Sequence, residues 1–319
     1  MSEVLLETVN LRKYFKTPKG NLHAVDDINL SIKAGKTLGV VGESGCGKST
    51  LGRTILRLIE PTSGQILYRG EDISKYNKKK MWEMHHKMQI IFQDPYASIN
   101  PRMTVSEIIA DPMKVYGICK NQREMNEKVA QLMDTVGLAS RFVNTYPHEL
   151  DGGRRQRIGI ARAMAVNPEF IVCDEPVSAL DVSIQAQILN LMMDLQEEHK
   201  LTYIFITHDL SVVKHISDEI MVMYMGVCVE RAPAKELFLN PMHPYTKELF
   251  NAIPIPSLDP EKKLKNIIGG EVTSPINPPN GCRFAPHCKY ASKKCMGCNL
   301  PLSEIAPEHY VACSLFEGR

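Results

Sequence analysis

The chain has 319 residues, 44% of them apolar, and its 38 basic and 36 acidic side chains leave a formal net charge of +2. That length exceeds one average domain and the apolar share suffices for a large core, while near-balanced charge gives no global field that would argue for a nucleic-acid partner. No stretch is long and uncharged enough to span a bilayer, and the opening MSEVLLETVN lacks the basic region and apolar core of a secretory signal, so a cytosolic chain is expected. In a reducing compartment nine cysteines, five of them after residue 281, point to metal or redox chemistry rather than disulfides.

In chain order, LETVNL and INLSI read as strands on either side of the polar turn TPKGN. Tyr14 stands just before that turn, where its ring can lie against an adenine or serve as an ordinary strand-edge aromatic; the residues alone leave both open. Next comes VVGESGCGKST, Val40 to Thr50. Gly42, four residues, Gly47, Lys48 and Ser49 fit the phosphate-binding pattern G-x-x-x-x-G-K-S/T, with an apolar strand leading in and Leu51, Ile55, Leu58 and Ile59 leading out at helical spacing. The backbone of Gly42, Glu43, Ser44, Gly45, Cys46, Gly47, Lys48, Ser49 and Thr50 is expected to close around a triphosphate at the positive end of that helix. Lys48 then reaches the outer phosphates and Ser49 offers its hydroxyl to Mg2+.

PTSGQILYRGED reads as turn, strand and turn, and KKK at Lys78 to Lys80 as a solvated loop. Met88 to Phe92 is an apolar strand followed directly by Gln93, which can ligate Mg2+ and orient water. From Ala97 to Tyr146 the apolar positions recur at helical spacing. Leu150-Asp151-Gly152-Gly153 then opens a helix whose first amides can face a phosphate. Phe170 to Cys173 is a fully apolar strand ending in Asp174 and Glu175, where ligands bind in an open parallel sheet. Asp174 suits the Mg2+ shell and Glu175 a general base; helix capping is the structural alternative. Ser178 to Asp181, a helix from Ser183 to Glu198, and a strand from Tyr203 to Thr207 lead to His208. At that strand end an imidazole can sense a γ-phosphate, although a lone histidine is more often structural.

With these residues in order, residues 3 to 252 resemble the ATP-binding subunit of an ABC transporter. Tyr14 resembles its adenine-stacking position, Gly42 to Thr50 Walker A, Gln93 the Q-loop, Leu150 to Arg157 the signature, Ile171 to Glu175 the end of Walker B, Ser178 to Asp181 the D-loop and His208 the switch histidine. QIIFQDPYASINPRMTV, EPVSALDVSIQAQILNL, HPYTKELFNAIP and the cysteine-rich end resemble importers of dipeptides and oligopeptides, and the opening VNLRKYF the F-type subunit of their D/F pair. The resemblance implies an ATPase that binds ATP and Mg2+ at a dimer interface, with a second ABC ATPase subunit, two membrane-spanning permease subunits and, indirectly, a solute-binding protein. It places the chain peripherally at the cytoplasmic face of the membrane. Import of another solute, such as nickel or glutathione, and a non-transport ABC ATPase are the alternatives.

One departure stands out. The family signature usually has serine before the two glycines, where its hydroxyl helps hold the γ-phosphate on the partner subunit; here Asp151 stands there and Arg154 replaces a glutamine. A carboxylate facing phosphate is repelled unless neutralised, so either Arg154 or Arg155 compensates, or Asp151 simply caps the helix. The expected consequence is an asymmetric heterodimer whose standard site uses this chain's Lys48, Glu175 and His208.

Residues 253 to 281 read as a proline-rich linker and 282 to 319 as a cysteine-rich tail. Cys282, Cys288, Cys295, Cys298 and Cys313 suit a metal site, since so few apolar side chains scarcely fold alone. Zinc fits the Cys295/Cys298 knuckle; a 4Fe-4S cluster accepts looser spacing. The family resemblance favours the cluster on Cys282, Cys288, Cys295 and Cys313, leaving Cys298 surplus and His287 a bystander. Cys46, Cys119, Cys173 and Cys228 are read as buried small hydrophobes, with Cys46 also a candidate for thiol sensitivity. The fold expected is α/β: a RecA-like P-loop core, residues 1 to 252, with an antiparallel β subdomain and a helical insertion at about 97 to 152, followed by linker and metal-bound tail.

Overall fold

The computed structural model describes residues 3–252 and 274–316, so most of the linker expected at 253 to 281 lies outside the described residues. The elements in order are β1 (Val4–Thr17), β2 (Gly20–Lys33), β3 (Thr37–Val41), α1 (Lys48–Ile55), β4 (Ser63–Tyr68), β5 (Glu71–Asp72), α2 (Lys78–His85) and β6 (Met88–Ile91). Helices α3 (Pro95–Ser98), α4 (Val105–Val115), α5 (Gln122–Thr135) and α6 (Gly152–Met164) follow without an intervening strand. Then come β7 (Phe170–Asp174), α7 (Val182–His199), β8 (Thr202–Ile206), α8 (Leu210–Ile216), β9 (Glu219–Tyr224), β10 (Val227–Pro233), α9 (Ala234–Leu239), α10 (Pro244–Asn251), β11 (Ser303–Ala306) and β12 (His309–Val311).

The chain divides into two compact units, one built chiefly from residues 75–206 and the other from 6–31, 37–74 and 207–319. In the first, β6, β7 and β8 run parallel in that order, with Ile171 beside Gln89 and Tyr203. All five residues of β7 and all five of β8 are buried, which is why both read as unbroken apolar runs rather than alternating ones. The helices between β6 and β7 are individually punctuated. Thr104 and Glu107 form a capping box at α4, and the Asn121 side chain accepts from Glu124 N–H at α5.

In the second unit β3 and β9 are parallel, while β10 pairs antiparallel with β9, β12 with β10 and β11 with β12. An antiparallel sheet in the order β2-β1-β4-β5 carries the N-terminal strands. Its β1–β4 register places Leu6 opposite Tyr68 and Thr8 opposite Ile66.

Three expectations change. Lys78 to Lys80 is the first turn of α2, capped by Asn77 accepting from Lys80 N–H at 2.9 Å, rather than a loop: the cap and the apolar contact of Met81 outweigh three solvated lysines. Cys119 and Cys228 are only partly buried, unlike Cys46 and Cys173. The cysteine-rich tail is no isolated appendage. Strand β12 extends the sheet at β10, and Phe284, 1% exposed, enters a core with Val41, Val222, Tyr224, Leu237 and Tyr245. The tail's scarcity of apolar residues is thus met by a core that the second unit largely supplies.

Candidate functional site

The phosphate loop lies in the second unit, between β3 and α1. Gly47 is the N-cap of α1 with φ +105°, and no N-cap side chain bonds the helix's first amides. Glycine is required at Gly42, whose φ is +148° and where a Cβ would sit 2.1 Å from the Met223 carbonyl oxygen. Lys48, 5% exposed, folds back over the loop: its Nζ donates to the Gly42 carbonyl at 2.8 Å and the Glu43 carbonyl at 2.9 Å. Burial pushes the Cys46 thiol up, only partly offset by Lys48, and at 5% exposed the side chain packs as a small hydrophobe.

Tyr14 belongs to a polar cluster in the same unit. Its ring stacks on His23 at 3.9 Å and its hydroxyl donates to Asp26 Oδ1 at 2.5 Å. Burial first, and this bond second, raise the phenol to about 12. Asp26 also pairs with His23, 2.9 Å away, and with Arg283 of the tail. Burial opposes its ionisation, but bonds from Tyr14 and His23 and the Arg283 charge hold its carboxyl below the usual range. His208 is exposed, directly before Asp209, the N-cap of α8.

In the first unit Asp174 closes β7 and is 1% exposed. Glu175 follows with φ +49°, a left-handed conformation that a non-glycine residue adopts at a cost. Its N–H donates to the Ile206 carbonyl at 2.9 Å, which ties the turn to β8, and its Oε2 accepts from Gln93 Nε2 at 2.9 Å. Gln93 and Glu175, 82 residues apart in sequence, thus meet.

Asp151 is the N-cap of α6: Oδ1 accepts from Arg154 N–H at 2.8 Å, and Oδ2 pairs with the Arg154 guanidinium. Arg155 points elsewhere, donating to the Pro147 carbonyl at 2.8 Å with its guanidinium over Tyr96. Both readings of Asp151 therefore hold together: it caps, and Arg154 neutralises it. Gly152 and Gly153 also serve packing, since a Cβ at Gly153 would lie 2.6 Å from Ile184 Cγ2.

Among the described residues no group of three or more His, Cys, Asp or Glu side chains is arranged as a metal site, so the expected metal-bound tail is not found as a preformed ligand set. Cys282, Cys288, Cys295 and Cys313 do line one small cavity with His243, Phe284 and Leu315. Cys298 is exposed and, like His287, is not among that cavity's lining.

The family description "ABC transporter" matches residues 25–178, and "Oligopeptide/dipeptide transporter, C-terminal region" matches residues 229–295. The oligopeptide transport ATP-binding protein OppF of Bacillus subtilis is 58% identical over 82% of this chain and 86% of its own length. AppF of the same organism is 50% identical over 98% of each. The chain belongs to the ATP-binding subunits of oligopeptide and dipeptide ABC transporters. The dipeptide transport ATP-binding protein DppF of Haemophilus influenzae is 46% identical over 97% of this chain and 96% of its own. An ATP-binding cassette solved as a dimer in a post-hydrolysis state, with ADP and Pi bound, superposes with a TM-score of 0.67 at 28% identity, covering 72% of this chain and 99% of that one.

This ABC ATPase binds ATP, and its fold is that of an ABC nucleotide-binding domain. No described helix is long and apolar enough to cross a membrane. Sequence reading missed the residues that brace the site from behind. Tyr245 Oη accepts from the Glu43 N–H at 3.0 Å. Glu230, 0% exposed, accepts from Met242 N–H at 2.7 Å and His243 N–H at 2.9 Å, and joins His309 Nε2 of β12 at 2.8 Å. The signal was present in HPYTKELF, but nothing in its composition marks it as chemistry.

Proposed function

We propose that this ATPase powers import of dipeptides or oligopeptides by hydrolysing ATP at an interface with a second, non-identical ABC subunit, while docked at the cytoplasmic face of two membrane-spanning permease subunits fed by a solute-binding protein. The observation that carries hydrolysis is the hydrogen bond from Gln93 to Glu175 at 2.9 Å, directly after the buried Asp174. It holds the Glu175 carboxylate at the end of β7, where a general base for water would stand. Lys48, held by the Gly42 and Glu43 carbonyls, turns its ammonium toward the outer phosphates. Ser49, Gln93 and Asp174 are oxygen donors of the kind Mg2+ takes, and Mg2+ bound with ATP would offset the phosphate charge. His208 reports on the γ-phosphate, Tyr14 faces the base with His23 behind it, and Gly152 and Gly153 present amides to the partner's nucleotide.

The Asp151–Arg154 pair supports the asymmetric reading. The carboxylate is neutralised in place, so it neither donates to a partner's γ-phosphate nor repels it as a bare charge would. The partner's nucleotide site is thereby the weaker of the two, and the one with this chain's Walker loop the working one.

Residues 1 to 252 then form the ATPase body, with its helical subdomain at about 97 to 152, and the tail carries a 4Fe-4S cluster. What supports the cluster is the convergence of four thiols on one cavity without Cys298, the knuckle partner a zinc site would recruit. Burial raises Cys282 to about 11 and pushes Cys288 and Cys313 up as well. Cys282, Cys288, Cys295 and Cys313 would hold such a group as thiolates, a form that its positive charge would favour.

The deciding experiment is ATP turnover in membranes carrying the assembled transporter with Glu175→Gln. Retained ATP binding with turnover lowered by about a hundred-fold or more supports the reading. Undiminished turnover removes Glu175 from the chemistry.

A further inference from the structure

Tyr245 lies outside every motif expected to touch nucleotide, yet it reaches the phosphate loop. It is the second residue of α10, wholly buried, with its backbone N–H capped by His243 Nδ1 at 3.1 Å and its ring centroid 4.6 Å from Tyr224 and 5.4 Å from Phe284. A side chain held on three sides has one rotamer, so its hydroxyl is a fixed point. That hydroxyl accepts from the Glu43 N–H at 3.0 Å.

The peptide group involved is the one joining Gly42 to Glu43. Its N–H end is held by Tyr245, and its C=O end, the Gly42 carbonyl, accepts from Lys48 Nζ at 2.8 Å. The phenol that holds the N–H end is therefore what keeps the opposite carbonyl turned toward the lysine. Gly42 has no Cβ to restrain this peptide plane, and its φ of +148° permits rotation that another residue would forbid. Without an acceptor the N–H would seek another partner, carrying the Gly42 carbonyl away from Lys48. Burial, foremost among its causes, pushes the Tyr245 phenol well above its ordinary value, so the acceptor stays a neutral hydroxyl at physiological pH.

We propose that Tyr245 is a positioning residue for ATP: by fixing the Gly42–Glu43 peptide it pre-sets the phosphate loop and Lys48 in the geometry that receives the triphosphate. This rests on the reading of residues 42 to 50 as the ATP site. The contribution is to affinity, because the loop is ordered before nucleotide arrives rather than at its expense, and the bond touches none of the hydrolytic groups.

The test is Tyr245→Phe, which keeps the ring and deletes only the hydroxyl, beside Lys48→Ala as reference. ATP affinity of the full chain and KM and kcat of the assembled transporter are read together with the melting temperature. Loss of one hydrogen bond predicts a roughly two- to ten-fold rise in Kd and KM for ATP, kcat within about two-fold of wild type, and faster amide exchange at Glu43. Unchanged Kd and KM in a folded Y245F protein overturn the inference. If Y245F does not fold, amide exchange at Glu43 in the wild type decides: protection supports the inference, and exchange at the rate of an open loop overturns it. If K48A binds ATP as well as wild type, the ATP-site reading itself fails and takes this inference with it; a normal K48A defect beside an unaffected Y245F fails this inference alone.

Discussion

Asp151 and Arg154 are locked together twice, through the backbone N–H at 2.8 Å and through the guanidinium, so one side chain both starts α6 and is neutralised by its own helix. Asp151→Ala removes the cap and leaves the amides at the start of α6 unsatisfied. It should cost about 1 kcal/mol in a denaturant titration. Asp151→Ser restores a capping oxygen and should recover that stability while leaving ATP turnover at this chain's own Walker loop largely unchanged. Abolition of all turnover by the serine exchange would show that the two nucleotide sites are not functionally unequal.

Gly153→Ala tests close packing at the same helix. The added methyl would stand 2.6 Å from Ile184 Cγ2, a β-branched arm with little freedom to withdraw. A loss of about 1–3 kcal/mol in chemical denaturation is expected, as for other overpacked contacts. Combination with Ile184→Ala, which makes room for the methyl, should return part of it.

The His243 imidazole is pushed down to about 4, foremost by burial, with Glu230 opposing. The unfolded chain, near 6.5, then binds this proton more readily than the folded one, so the associated stability is fully present above about pH 6.5 and is lost as pH falls toward 4. Melting temperatures measured across that window should drop in the wild type. In His243→Asn, whose amide oxygen can still cap α10 but does not titrate, the drop should be shallower.

Iron and acid-labile sulfide on protein purified without oxygen test the tail. Cys298→Ser should retain the wild-type content, whereas Cys288→Ser should lose most of it. A single zinc and no iron in the wild type would replace the cluster with a structural ion. Equal loss from both variants would bring Cys298 into the ligand set.

Which parts were legible follows from the range of the interactions. The phosphate loop could be read because its function is written in consecutive residues: Gly42 and Gly47 are demanded by local backbone geometry, and Lys48 and Ser49 stand at fixed offsets from them. Buried parallel strands such as Phe170 to Asp174 could be read because burial on both faces forces an unbroken apolar run. The meaning of Asp151 was legible only as a choice, since a cap and a neutralised carboxylate have the same sequence. Arg154 rather than Arg155 turned out to decide it, through which guanidinium the helix start brings within reach.

What the sequence by itself determined was the ATP-binding chemistry, the order of its motifs and the family, because these reside in short-range patterns that no later packing can alter. Tertiary structure alone decided that Glu175 meets Gln93, that the tail shares a core with α10 through Phe284, and that Tyr245 holds the Glu43 amide across 202 residues. Those pairings depend on buried side chains meeting at distances that sequence spacing does not encode. A tyrosine placed in an apolar core looks like packing until the one polar group within its reach is known.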